Sequence, residues 1–495
     1  MRRYGNQRMS KFSKLYSIRL AARCQKAVFG LLSVALLLFL ASPSFAANKQ
    51  TALDRYVHTP DSHYHYELIQ QTKHAGYTLY LLQMTSQKWR TSNEVNRTLW
   101  QHWITIYRPK QVRGTTGMLL ISGGSNNGRQ PRVDPMLASI ATTSHTVVSE
   151  VSDVPNQPLT FANDPYGPRV EDQLIAYTWK KYIQTGDATW LARLPMTKAA
   201  VRAMDTVTSF MATAPGGNVA VKQFVVAGAS KRGWTTWTTA AVDRRVVAII
   251  PMVIDLLNIV PSFDHHYRSY GFWSPAVKDY YDAGLMDDLN TPGYQKMLTI
   301  TGPYSYRDRY TMPKLIINAA GDPFFLPDSS QFYFDALPGE KYLRYMPNAG
   351  HSLKGTDIAE NITAFYLSII DHFQRPQFAW KFEGDGDIRV TTRTKPMAVR
   401  LWQATDPNHR DFRVQWVGPL YKSSTLHASE PGVYVAHVAM PAKGWSAFFV
   451  ELIYRGPKRK DPFHFTTAVR VIPNTEPYPN PVPGDTKLGT APPKS

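Results

Sequence analysis

The feature that most restricts the fold is a junction in the middle of the chain. A short apolar run, Val225-Val226-Ala227, passes through Gly228-Ala229-Ser230 directly into a helical pattern from Lys231 to about Val242. A buried strand that becomes a helix within one Gly-x-Ser step needs a tight, strained bend, which lifts the serine hydroxyl clear of the backbone. Further apolar runs stand at Met118–Ile121, Thr146–Ser149, Val246–Pro251 and Leu315–Asn318, and strand patterns at Tyr77–Met84, Leu99–Tyr107 and Tyr342–Met346. Helical patterns cover Val170–Gln184 and Thr197–Ala212. Short continuous apolar runs alternating with helices predict an α/β protein whose parallel sheet is covered on both faces.

The junction departs from Gly-x-Ser-x-Gly, because Arg232 stands where the second glycine belongs and Gly233 follows it. Its weight therefore comes from the residues downstream. A nucleophilic serine needs a base, and the base needs an orienting acid. The run at 315–318 leads into Gly321-Asp322, and the run at 342–346 leads into Gly350-His351. The order Ser230, Asp322, His351 is that of α/β hydrolases. The spacings are 92 and 29 residues, the second leaving room for a helix expected at Ser329–Leu337. Ser230 is thus the expected nucleophile, His351 the base and Asp322 the acid, with Asp328 as the competitor for the last role. An oxyanion hole would use the amide of Lys231 and one from the loop Ser122–Asn126, at Gly124 or Ser125; the alternative for that loop is an ordinary glycine turn. Lys231 and Arg232 could favour a substrate bearing a carboxylate or phosphate, with Arg232 binding it. The preferred reading is that Arg232 forms a salt bridge.

At 495 residues the chain is too long for one ordinary core. Residues 1–26 carry eight Lys or Arg and no acid, followed by a 15-residue apolar run from Ala27 to Ala41 and then Ser44-Phe45-Ala46. This is the pattern of a secretory signal peptide over residues 1–46, whether translation starts at Met1 or Met9. The alternative, an uncleaved anchor, is disfavoured because a span needs about 20 apolar residues, so no stable membrane span is expected once the leader is removed. An α/β-hydrolase domain is expected over 47–374, with an insertion at about 256–312 acting as a cap over the ligand crevice. Beyond Arg375-Pro376 only short strand patterns follow, which predicts a small β-sandwich over 375–475. A Pro-rich, extended tail is expected over 476–495.

The only cysteine, Cys24, lies in the leader, so the mature chain has no thiol nucleophile, no Cys-ligated zinc and no disulfide. Taking the eight leader cations from the formal +19 leaves +11. A basic surface fits an anionic membrane face, a polyanionic glycan or an acidic substrate, and equally a protein with no charged partner. Nucleic acid is not expected, since no basic block carries interleaved aromatics and the chain is expected to be exported, to the periplasm or beyond. No metal or cofactor is expected: His63-x-His65 and His265-His266 lack a third spaced ligand. Gly384-Asp385-Gly386-Asp387 reads as a hairpin turn rather than a calcium loop, and Trp234 and Trp237 read as packing.

Several segments together resemble the PhoPQ-activated pathogenicity-related family, which includes autocrine-proliferation-repressor-like proteins. They are Thr85-Ser86-Gln87-Lys88-Trp89, Gly228-Ala229-Ser230-Lys231-Arg232-Gly233-Trp234, Gly321-Asp322-Pro323-Phe324-Phe325-Leu326-Pro327-Asp328 and Pro347-Asn348-Ala349-Gly350-His351. Leu401-Trp402-Gln403-Ala404 and Arg410-Asp411-Phe412-Arg413 extend the likeness into the last domain. The resemblance implies an α/β-hydrolase domain followed by a β-rich domain, and a link to envelope stress or virulence, without supplying a substrate. The elbow is also similar to that of glucuronoyl esterases, where a basic residue follows the serine. The expected activity is hydrolysis of an ester or amide in a small molecule, glycan or peptide by acyl transfer. The alternative class is a secreted binding or signalling protein on a hydrolase scaffold.

Overall fold

In a computed structural model that describes residues 50–384 and 386–490, the apolar runs pair into one large mixed sheet. The leader, Cys24 and Asp385 lie outside the described residues. The strands of the first part are β1 (His65–Lys73), β2 (Tyr77–Lys88), β3 (Leu99–Pro109), β4 (Thr116–Ile121), β5 (Val148–Val151), β6 (Gln223–Ala229), β7 (Val246–Met252), β8 (Lys314–Ala319) and β9 (Lys341–Met346). They lie in the order β1-β2-β3-β5-β4-β6-β7-β8-β9. β1 to β3 are antiparallel, β3 meets β5 antiparallel, and every pairing from β5 to β9 is parallel.

The helices that bear on the site are α1 (Ala52–His58), α2 (Pro135–Ser144), α3 (Glu171–Thr185), α4 (Arg193–Met211), α5 (Lys231–Val242), α6 (Ile259–Tyr270), α7 (Pro292–Thr301) and α8 (Ile358–Ile370). Alternate residues of the central strands serve the two faces. Leu119, Ile121, Phe224 and Val226 pack with Val207 and Trp237 of α4 and α5, while Met118, Leu120, Val225 and Ala227 pack with Ile140 and Phe365 of α2 and α8. Burial on both sides explains why these strands read as continuous apolar runs rather than as alternating ones.

The C-terminal strands are β10 (Phe378–Glu383), β11 (Asp387–Thr392), β12 (Ala398–Asp406), β13 (Lys422–Thr425), β14 (Ala428–Glu430), β15 (Val433–His437), β16 (Trp445–Lys458), β17 (Asp461–Thr466) and β18 (Arg470–Ile472). Four of them form a second sheet, β10-β11-β15-β14, whose Ile388, Val390 and Ala436 pack with Phe448, Val450 and Leu452 of β16. The others extend the large sheet through the pairing Thr466↔Leu343, so the chain from Ala52 onward forms one unit. Buried Glu451 fastens this junction, accepting from Arg344 of β9 at 2.7 Å, Trp402 at 2.8 Å and His464 at 2.9 Å.

Two local expectations change. The helix expected at Ser329–Leu337 is only a short 3₁₀ turn, Ser329–Phe332, because Tyr333 turns inward and donates its hydroxyl to buried Asp255 at 2.6 Å. The Pro-rich tail, over its described residues, is bound along the insertion. Tyr478 N donates to Arg268 O at 3.0 Å, Trp273 N to Lys487 O at 2.8 Å and Gly489 N to Trp273 O at 2.8 Å. No helix among the described residues is long and apolar enough to cross a membrane.

Candidate active site

β6 ends at Ala229 and α5 begins at Lys231, which leaves Ser230 alone to make the turn. Its φ of 56° and ψ of −123° lie where a side chain is strained, at a cost of roughly 1–3 kcal/mol. Ser230 N donates to Met252 O of β7 at 2.8 Å, and Trp234 N donates to Ser230 O at 3.0 Å, so the bend is held from both sides. Gly228 is required by the crossing of strand and helix: a Cβ there would lie 2.6 Å from Arg232 O and 2.8 Å from Thr236 Oγ1. The missing second glycine is supplied one residue late, since a Cβ on Gly233 would lie 2.9 Å from both Met252 O and Ile254 Cγ2.

The other two candidates arrive from the ends of β8 and β9. His351 Nε2 is 2.9 Å from Ser230 Oγ, and His351 Nδ1 is 2.8 Å from Asp322 Oδ2. Asp322 is buried, and its second oxygen accepts from Phe324 N at 2.8 Å, which fixes the carboxylate. Phe324 also covers the imidazole, with ring centroids 4.4 Å apart. Asp328 is engaged elsewhere: Oδ1 is 2.9 Å from His265 Nε2, and Oδ2 accepts from Arg410 at 2.6 Å. Although Asp328 is buried, which alone would raise its pKa, Arg410 and His265 hold its carboxyl far below the usual range. Asp255 is pushed up to about 7 by burial and by the charges of Asp322 and Asp328, although the hydroxyls of Tyr333 and Tyr345 donate to it.

Lys231 is the first residue of α5, so its amide has no acceptor within the helix. Gly124 and Ser125 are not brought to Ser230's cavity. They line a separate cavity of about 550 Å³ with Asp134, Glu150 and Asp153. The loop is held there by Gln157 Nε2 donating to Gly124 O at 2.7 Å and by the Asp153 carboxylate, which accepts from the Ser125 amide. Burial raises the Asp153 carboxyl to about 6, against the Ser125 bond and the charge of Arg97.

The two cations beside the serine are paired inside the protein. Arg232 forks onto Glu171 at 2.7 and 2.6 Å and donates through Nε to Val154 O at 2.6 Å. Lys231 Nζ lies 2.8 Å from Asp172 and 3.2 Å from Glu171. Burial opposes ionisation of Glu171, but the bonds and charge of Arg232, with Lys231, hold it down at about 2. Arg232 therefore makes the salt bridge preferred from the sequence, and its fork is not open to an anionic substrate.

The cavity over Ser230 is narrow, about 30 Å³, and lined mostly by apolar and aromatic side chains. Phe324 and Phe325 follow Asp322, Phe263, Val277 and Tyr280 come from the insertion, and Trp179 comes from α3. Trp234 packs in the core as expected, yet it also forms part of this wall. Trp237 is core only, with its ring centroid 4.8 Å from that of Tyr310. Sequence reasoning missed Glu171, Asp172, Tyr280 and Arg193. The adjacent acids opening α3 and the arginine at the head of the long buried α4 were the available signals. No cluster of three or more metal-ligating side chains occurs among the described residues.

A family model described as PhoPQ-activated pathogenicity-related protein matches residues 53–413. The chain is 39% identical over 478 residues to autocrine proliferation repressor protein A of Dictyostelium discoideum, covering 90% of this chain and 94% of that protein. Among solved structures it is similar to acetyl xylan esterase 1 from a Thermoanaerobacterium species, at TM-score 0.44 and 15% identity over 65% of this chain and 92% of that one. A glucuronoyl esterase from Solibacter usitatus gives TM-score 0.36 and 13% identity over 63% and 86% of the two chains.

Proposed function

The chain belongs to the PhoPQ-activated pathogenicity-related protein family, and from that premise we propose that it is an exported serine hydrolase cleaving an ester or amide by acyl transfer. The observation that carries this reading is the unbroken relay from Asp322 through His351 to the hydroxyl of Ser230, whose backbone is bent to present it. Ser230 attacks the carbonyl carbon as His351 Nε2 takes its proton, and Asp322 holds the imidazole through Nδ1 and stabilises the imidazolium. The tetrahedral oxyanion receives the amide of Lys231, at the positive end of α5. His351 returns the proton to the leaving group; water then attacks the acyl carbon as His351 takes its proton, and the bond to Ser230 Oγ breaks as that proton passes back to the serine, releasing the acid. Export is supported by the basic, apolar leader.

A second reading, a regulatory protein on a hydrolase scaffold, is favoured by the name of the Dictyostelium relative and by the small cavity over Ser230. Fluorophosphonate labelling separates the two. The hydrolase reading expects labelling of the mature protein and none of Ser230→Ala; equal signal from both proteins, or none from either, rejects it.

A further inference from the structure

We propose that Arg193 makes the Ser230 cavity selective for a short acyl group bearing a carboxylate; this deepens the hydrolase reading and rests on it. Arg193 opens α4, is 2% exposed, and stands on the wall of the same cavity as Ser230. Its Nη1 donates to Lys231 O at 2.9 Å, which docks the guanidinium on the residue that follows the candidate nucleophile. Its Cζ lies 4.4 Å from the centre of the Trp234 ring and 6.0 Å from that of Trp179.

What this arginine lacks is a carboxylate in direct contact. Among the described residues no carboxylate forms an ion pair with it, whereas its neighbours Lys231 and Arg232 take up Glu171 and Asp172. Three buried cations thus share two carboxylates. Asp279 stands nearby, but its carboxyl is bonded by Gln173 and is raised by burial and by Asp172 and Asp282; it makes no ion pair with the three. The Nε of Arg193 is buried without a hydrogen-bond partner. Tyr280 bonds the guanidinium and Asp172 attracts it from farther off, but no carboxylate meets its fork; a buried charge so weakly compensated is unfavourable, and the planar fork matches a carboxylate. The walls are mostly aromatic and apolar, a low-dielectric setting that strengthens any pairing made there. The volume of about 30 Å³ suits a small group and not a long acyl chain.

The test compares two isosteric esters, monomethyl succinate and methyl succinamate, by methanol release. Wild-type protein is expected to show kcat/KM at least tenfold higher for the anionic ester. Arg193→Gln should bring the ratio to about one, and Arg193→Lys, which keeps charge but not the fork, should fall between. Circular dichroism on each variant identifies loss of fold, and the Lys variant keeps the test open if the Gln variant does not fold. A wild-type ratio near or below one, or a ratio unchanged in folded Arg193→Gln, overturns the inference. If neither ester is cleaved, titration calorimetry of monomethyl succinate against Ser230→Ala decides independently of turnover. Binding that disappears in Ser230→Ala/Arg193→Gln upholds the anion site even where neither ester is cleaved, the hydrolase reading being decided by fluorophosphonate labelling, and no binding to Ser230→Ala rejects the site.

Discussion

Replacing Asp322 and Asp328 separately by asparagine gives two different failures if each carboxylate does what its partners indicate. In Asp328→Asn the Arg410 guanidinium, whose side chain is 1% exposed, and His265 lose their shared anion. Breaking one partner of a buried pair costs about 3–5 kcal/mol. Unfolding entropy of about 2.1 cal/mol/K per residue gives ~0.9 kcal/mol/K for a folded unit of roughly 440 residues, so the melting temperature should fall by about 3–5 °C. Fluorophosphonate labelling of the folded variant should stay within a fewfold of wild type, because no bond of Asp328 reaches His351. Asp322→Asn should do the reverse. The fold keeps its packing, but the imidazole loses the anionic partner that fixes its tautomer at Nδ1, and the labelling rate should drop by about 10³–10⁴-fold. Calorimetry and labelling on the same samples check both. If Asp328→Asn abolished labelling at unchanged melting temperature while Asp322→Asn still labelled, the assignment of the acid would be wrong.

Two further outcomes follow from the geometry. Gly228→Ala places a Cβ 2.6 Å from Arg232 O, a backbone atom that cannot swing aside, so it should cost about 1–3 kcal/mol and slow Ser230 labelling more than tenfold; an unaltered rate would mean the elbow is less constrained than it looks. The tail should hold the insertion more tightly at pH 6 than at pH 9. Burial disfavours protonated His265, but Asp328 and Glu476 raise its pKa, so its stabilising charge is fully present below about 6.5 and is lost as pH rises through the higher folded value. Hydrogen exchange at the amides of Tyr478 and Gly489, corrected for its intrinsic pH dependence, should report this difference and lose it in Glu476→Gln.

The sheet was legible because its central strands are buried on both faces, which leaves runs such as Leu315–Asn318 without a polar residue until the last position. The meeting of Ser230, Asp322 and His351 was legible for a related reason: each lies just beyond the end of a parallel strand, and such ends converge on one edge of a doubly covered sheet. What the sequence hid depends on contacts between distant segments. Strand patterns after Arg375 look the same whether they build a separate sandwich or continue an existing sheet. The difference lies in Glu451 reaching Arg344 across 107 positions. The glycine loop at 122–126 likewise carries no mark of the Gln157 and Asp153 bonds that hold it beside a different cavity.

Arg232 is the residue whose meaning changes most. In the sequence it spoils a glycine motif; in the structure its neighbour Gly233 provides the close approach that the motif needs, which frees the preceding position for a side chain. That side chain runs past Gly123, where a Cβ would lie 2.5 Å from its Nη2, and fastens the elbow to Glu171 at the head of α3 and to Val154 O beyond β5. The strained turn at Ser230 is thereby tied to two neighbouring segments by a forked ion pair, and strain of this kind persists only where its surroundings over-determine it. Since Glu171 and Asp172 are consumed in holding Arg232 and Lys231, the charge left over in the cavity belongs to Arg193. If Arg193 meets the substrate as proposed, the residue that weakens the serine motif is also the one that occupies Glu171 and keeps it from Arg193.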